Sequence, residues 1–221
     1  MYQITIDGLS GSGKSSVARK VAEKLDIMYF DTDIVIDCIS SELLIRHINP
    51  TSEEKILDYL RDAKIEVVGK GDDMSVIIDG VDDTNKINNP VVRSCGYTLG
   101  KQEVMAKYIR ILQLKCAQNN DLVVEGFNSG VTLFPKAKFK FFLTADSSVR
   151  AKRKYEALVD KGITDYKYED ILKDTEDSDR QYFNGEMAKI DVSEETHFID
   201  TSENTAVDTA NEIINIIRGE K

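Results

Sequence analysis

Apolar positions along the chain follow two periods, and their alternation lays out the architecture. Gln3-Ile4-Thr5-Ile6-Asp7 is short, β-branched and followed at once by glycines, which predicts a buried strand. From Lys14 to Leu25 the spacing lengthens. Val17, Val21 and Leu25 recur every four residues with Ala18 and Ala22 beside them, an amphipathic helix whose start is marked by Ser12 or Gly13. Ile27-Met28-Tyr29-Phe30 predicts a second strand ending in Asp31-Thr32-Asp33, with a helix from there to about His47. Asn49-Pro50-Thr51-Ser52-Glu53-Glu54 breaks that helix and caps a new one.

The pattern then changes. Ile65-Glu66-Val67-Val68 and Met74-Ser75-Val76-Ile77-Ile78, joined by Gly69-Lys70-Gly71-Asp72-Asp73, predict an antiparallel hairpin. It lies in an inserted subdomain of about residues 50–100, and helices follow over 89–98 and 101–119. Leu122-Val123-Val124-Glu125-Gly126 predicts a central strand, Phe139-Lys140-Phe141-Phe142-Leu143 another, and His197-Phe198-Ile199-Asp200 the last. Charged helical stretches over 146–161 and 168–183, joined by Gly162, form a candidate lid of about residues 146–185. Ala206 to Arg218 closes the chain as an amphipathic helix carrying Ile213, Ile214, Ile216 and Ile217. Five strands alternating with helices predict one α/β domain over residues 1–221, a parallel sheet covered by helices on both faces.

Charge narrows the function. The net charge of −10, from 29 basic and 39 acidic residues, argues against a nucleic-acid partner. A protein so acidic has to gather positive charge locally if it binds a polyanion. Cys38, Cys95 and Cys116 fit no metal-ligand spacing and read as buried thiols. No stretch approaches the roughly 18 apolar residues of a membrane span, and the opening reads as a strand rather than a signal peptide. The expectation is a cytoplasmic monomer acting on a small molecule.

Gly8-Leu9-Ser10-Gly11-Ser12-Gly13-Lys14-Ser15 matches the phosphate-binding pattern G-x-x-x-x-G-K-[ST], with a strand before it and a helix after. Backbone N–H groups of residues 11 to 15 would wrap a β-phosphate at the helix N-terminus. Lys14 would reach the β and γ phosphates, and the Ser15 hydroxyl would ligate Mg²⁺. Gly8, Ser10, Gly11, Ser12, Gly13, Lys14, Ser15 and Ser16 are therefore the candidate ATP site. Glu125, ending an apolar run, is the candidate carboxylate on the Mg²⁺ side. Asp7 either serves the same end or orients loop amides. In Arg150-Ala151-Lys152-Arg153-Lys154, residues 150, 153 and 154 share one helix face. Arg150 and Arg153 join Lys14 as candidate catalytic cations on a closing lid, with Asp179 and Arg180 as candidates to complete it. A GTPase is not supported, because Asn85-Lys86-Ile87-Asn88 lacks the base-reading carboxylate. His47 and His197 stand alone and read as structural or surface residues.

Taken together, several stretches resemble the bacterial cytidylate kinases over nearly the whole chain. They are the glycine loop with its strand, Phe30-Asp31-Thr32, the hairpin through Ile78-Asp79-Gly80 with Asp82-Asp83-Thr84, and Arg150-Ala151-Lys152-Arg153 after Phe142-Leu143. The most specific is Gly126-Phe127-Asn128-Ser129-Gly130-Val131-Thr132-Leu133-Phe134-Pro135-Lys136-Ala137, which is similar to that family's Gly-Arg-Asp-x-Gly-Thr-x-x-Phe-Pro-x-Ala. The resemblance implies a P-loop nucleoside monophosphate kinase fold that moves the ATP γ-phosphate to CMP or dCMP with Mg²⁺. It also implies an acceptor side that includes Asp31, Thr32, Asp33 and Asn128, with Asp179 and Arg180 from the lid.

Departures from the family pattern fall on that acceptor side. Asp37, Asn88, Phe127 and Tyr182 stand where the family has arginine, and Asn128 where it has aspartate. Each lost arginine removes a bidentate partner for a phosphate. Three readings stay open from sequence: CMP handled by other residues such as Arg93 or Lys101, a different small acceptor, or a nucleotide-binding module with little transfer.

Overall fold

The computed structural model describes residues 1–71, 73–87, 89–126, 128–160, 165–184 and 193–219. Asp72, Asn88, Phe127 and Gly162, each used in reading the sequence, lie outside the described residues. In chain order the elements are β1 (Gln3–Gly8), α1 (Lys14–Leu25), β2 (Met28–Tyr29), α2 (Thr32–Ile45), α3 (Glu53–Asp62), β3 (Ile65–Val68), β4 (Ser75–Ile78) and β5 (Val81–Asp82). There follow α4 (Pro90–Leu99), α5 (Glu103–Asn119), β6 (Leu122–Gly126), α6 (Ser129–Thr132), β7 (Phe139–Thr144), α7 (Ser147–Asp160), α8 (Tyr168–Phe183), β8 (Thr196–Asp200) and α9 (Ala206–Arg218). Five strands form one parallel sheet in the order β2-β6-β1-β7-β8, flanked by helices in an α/β arrangement. The strand feeding the glycine loop, β1, is at its centre.

Backbone contacts divide the chain into two compact units, residues 1–2 with 22–122, and residues 3–21 with 123–221. In the second, β1 runs parallel to β7 with Ile4 opposite Phe139, and β7 runs parallel to β8 with Phe141 opposite His197. Ile4, Ile6, Phe141 and Leu143 are fully buried, as central parallel strands require when helices cover both faces. The last helix, α9, starts on a capping box in which Thr205 and Asp208 satisfy each other's backbone N–H groups.

In the first unit, β3, β4 and β5 form a small antiparallel sheet, with Ile65 opposite Ile78 and Val67 opposite Val76. Strict alternation buries Ile65 and Val67 and exposes Glu66 and Val68. The third strand was not predicted from sequence, since Val81 and Asp82 are both exposed and carry no apolar alternation. Helix α4 starts with Pro90 behind an Asn89 cap, whose Oδ1 accepts the Val91 N–H at 2.9 Å.

All three cysteines are buried in this unit. Desolvation pushes the Cys38 thiol up to about 12 and the Cys116 thiol up to about 11, with Asp83 and Asp37 adding to the rise at Cys38. Both therefore stay protonated and unreactive far above neutral pH. A thiol-disulfide reagent at pH 8 should titrate none of the three in the native protein and all three after unfolding in guanidinium. Rapid reaction of a native thiol would contradict this packing.

Candidate phosphoryl-transfer site

Loop residues 8–13 leave the C-terminal end of β1, where open parallel sheets place their ligands. Gly11 and Gly13 take φ of 82° and 92°, a left-handed region that lets successive N–H groups turn to one side. A Cβ on Gly13 would point toward Arg153 Nη1 at 4.0 Å, and one on Gly11 would press on Arg150 Cβ at 3.0 Å. Ser12 is fully buried, and its Oγ has no hydrogen-bond partner among the described residues. A phosphate-shaped cradle with an orphaned hydroxyl suits a polyphosphate.

Lys14 opens α1, and its Nζ donates to the Leu9 carbonyl at 3.1 Å. Burial pushes its pKa down, and Arg150 adds to the fall, while Glu125 and Asp7 oppose it. The ammonium is thus held against a desolvation cost that a bound polyanion would relieve. Ser15 Oγ donates to Glu125 Oε1 at 2.9 Å, so the two candidate Mg²⁺-side groups meet. No cluster of three or more metal-ligating side chains exists among the described residues. One hydroxyl and one carboxylate suit Mg²⁺, which keeps waters and phosphate oxygens as its other ligands, rather than a protein-caged metal.

Beside the loop lies a cavity of about 420 Å³, lined by residues 11–17, by Arg153, Lys154 and Ala157 of α7, and by Thr201, Asn204, Thr205, Ala206 and Thr209. Arg150 is absent from that lining and only 2% exposed. Its guanidinium pairs with both oxygens of Asp179 on α8 and donates to the carbonyls of Ala145 and Ser10 at 2.8 and 3.2 Å. Arg153 donates to Thr201 Oγ1, Thr201 O and Asn204 O at 3.0, 2.6 and 3.3 Å. Lys154 Nζ donates to Thr175 Oγ1 at 3.0 Å. Of the predicted lid pair, Asp179 joins Arg150, whereas Arg180 is exposed and paired with Asp177.

Asp7 orients backbone amides, though not those of the glycine loop. Its carboxylate accepts the Ser129 and Gly130 N–H groups, each at 2.8 Å, so the amides it orients belong to α6 and not to the glycine loop. Asn128 enters α6 at φ 61°, a left-handed conformation that Asn tolerates better than most residues. The short α6 itself was invisible in the sequence, being four residues of Ser, Gly, Val and Thr.

The cytidylate kinase family model matches residues 4–219. The chain belongs to that family. It is 31% identical to a cytidylate kinase of Caldanaerobacter subterraneus subsp. tengcongensis over 98% of this chain and 94% of that one. It is also 31% identical to a cytidylate kinase of Desulforamulus reducens over 96% of this chain and 94% of the other. Among solved structures, an uncharacterized protein from Eubacterium ventriosum covers 100% of both chains at 14% identity with a TM-score of 0.52, a likeness of fold alone.

Of the residues expected on the acceptor side of this cytidylate kinase family member, Asp31, Thr32 and Asp33 belong to the first unit, and Asn128, Asp179 and Arg180 to the second. Asp31 caps α2, its Oδ1 accepting the N–H groups of Asp33 and Ile34 at 3.1 and 3.2 Å. Asp37 packs on α4, where a Cβ on Gly96 would collide with its Oδ1. Desolvation raises its pKa, Asp33 and Asp31 push the same way, and Arg93 opposes them. Lys101 is turned onto the Tyr97 ring, 3.8 Å from its centroid. Sequence reasoning passed over Thr201, whose only signal was its place just past the C-terminal end of a strand.

Proposed function

We propose that this chain transfers the γ-phosphoryl group of ATP to CMP or dCMP, giving ADP and CDP or dCDP. The observation that carries the reading is the phosphate loop with its Ser15–Glu125 pair, in a chain that the cytidylate kinase family matches from residue 4 to residue 219. Mg²⁺, held by Ser15 and Glu125, supplies charge neutralisation to the phosphates when bound. Loop amides and Lys14 bind and orient the donor, and Arg153 and Lys154 add positive charge from α7. On the acceptor side, Thr32, Asp33 and Asn128 are assigned to contact with the nucleotide. Asp31 and Asp179 are assigned to positioning, since α2 amides and Arg150 already engage their carboxylates. Arg180, exposed and paired with Asp177, is assigned to the outer face of the lid. Among the described residues no helix is long and apolar enough to cross a membrane. The reading carries with it a cytoplasmic monomer acting on free nucleotides.

In a coupled assay with ATP and Mg²⁺, ADP formation should depend on added CMP or dCMP. Acceptor-independent hydrolysis, or none despite ATP binding, would sink this reading and favour a nucleotide-binding module. A screen of other monophosphates and small hydroxyl compounds tests the remaining alternative. Glu125→Gln should raise the Mg²⁺ concentration for half-maximal rate by about 10- to 100-fold. An unchanged Mg²⁺ requirement would reduce Glu125 to a hydrogen-bond partner of Ser15.

A further inference from the structure

We propose that Thr201 is a positioning residue of the donor site, its buried hydroxyl setting the phosphate loop and Arg153 in place together. The inference rests on the donor-site reading above. Thr201 lies directly after β8 and is 2% exposed. Its Oγ1 accepts from Arg153 Nη1 at 3.0 Å and has two carbonyls within donating reach, Ser12 O at 2.9 Å and Thr144 O at 3.0 Å.

A hydroxyl has one proton to give. Thr144 O already receives the Thr201 backbone N–H at 2.8 Å, so the proton is needed at Ser12 O. Arg153, by donating into the oxygen, leaves the Thr201 proton no role except toward a carbonyl. The result is a directed chain from guanidinium to hydroxyl to loop carbonyl, each bond polarising the next. Within a planar trans peptide the C=O and the following N–H point opposite ways. Holding the Ser12 carbonyl therefore sets the direction of the Gly13 N–H, one of the amides that would face the β-phosphate. The same oxygen holds Arg153, whose Nη1 stands 4.0 Å from where a Gly13 Cβ would be. Amide and guanidinium are thus coupled through one oxygen.

Thr201→Val keeps the shape and the backbone hydrogen bonds but deletes that atom's chemistry, and Thr201→Ser restores it. ATP affinity by titration calorimetry should fall about tenfold in the valine variant, as expected for loss of a hydrogen bond to a charged group. The serine variant should stay within about twofold of wild type. In an Arg153→Met background the valine substitution should cost less than in wild type, because the coupled guanidinium is gone while the bond to Ser12 O remains to be lost. Wild-type ATP affinity in Thr201→Val, equal losses in the serine and valine variants, or an undiminished loss in the Arg153→Met background would each overturn the assignment. Failure of the wild-type protein to bind ATP would instead overturn the donor-site reading beneath it.

Discussion

Lys14→Met should lower phosphoryl transfer by roughly 10³-fold, the scale of losing one charged donor aimed at a transferring group. It should leave the fold intact. Burial pushes the Lys14 pKa down, and among the described residues its ammonium donates to a carbonyl, Leu9 O. Removing that charge relieves a desolvation cost, so the thermal midpoint is expected to hold or rise while the rate collapses. That opposition of stability and activity is characteristic of a functional charge. Steady-state rates at saturating ATP, beside a calorimetric scan, check both halves. A variant that keeps a tenth or more of the wild-type rate would remove Lys14 from the transfer step.

Arg150→Met should act the other way, on stability before rate. Its guanidinium is almost wholly buried and braces α8 through Asp179, β7's exit through Ala145 O and the glycine loop through Ser10 O. Deleting one member of such a pair strands the other charge. The loss should be about 3 kcal/mol, at the lower end because Asp179 keeps 18% exposure. In a chain of 221 residues that is on the order of 10 °C in Tm. Arg150→Met with Asp179→Leu should recover more than half of the loss, since a pair replaced by apolar groups is often neutral. If Arg150→Met keeps its Tm and loses only kcat, Arg150 is a lid cation that touches the phosphates rather than a strut.

The sequence was most legible where one period dominated. The five main strands and the amphipathic helices α1 and α9 were readable because burial on one stripe or on both faces leaves a regular apolar trace. Elements without such a trace were missed: β5, two exposed residues, and α6, held by an acidic side chain more than a hundred residues away. The donor site was readable because glycines, Lys14 and Ser15 sit together in sequence. Thr201 was not, because the partners that give it meaning, Ser12, Thr144 and Arg153, are brought to it only by the sheet order. Arg150 shows the opposite hazard. Its helical spacing puts it on a cationic face with Arg153 and Lys154, yet one turn of α7 separates a buried brace from residues that line the cavity.

Asp7 has a consequence for how this chain is free to vary. Its carboxylate holds the Ser129 and Gly130 amides across 122 and 123 residues of sequence. Two motifs that look independent on paper are therefore one inherited unit. A lineage that replaces Asp7 has to reshape residues 128–130 in step, whereas the solvent-facing half of α7 can drift alone. Across descendants of this protein, position 7 and the turn after β6 should change together or not at all.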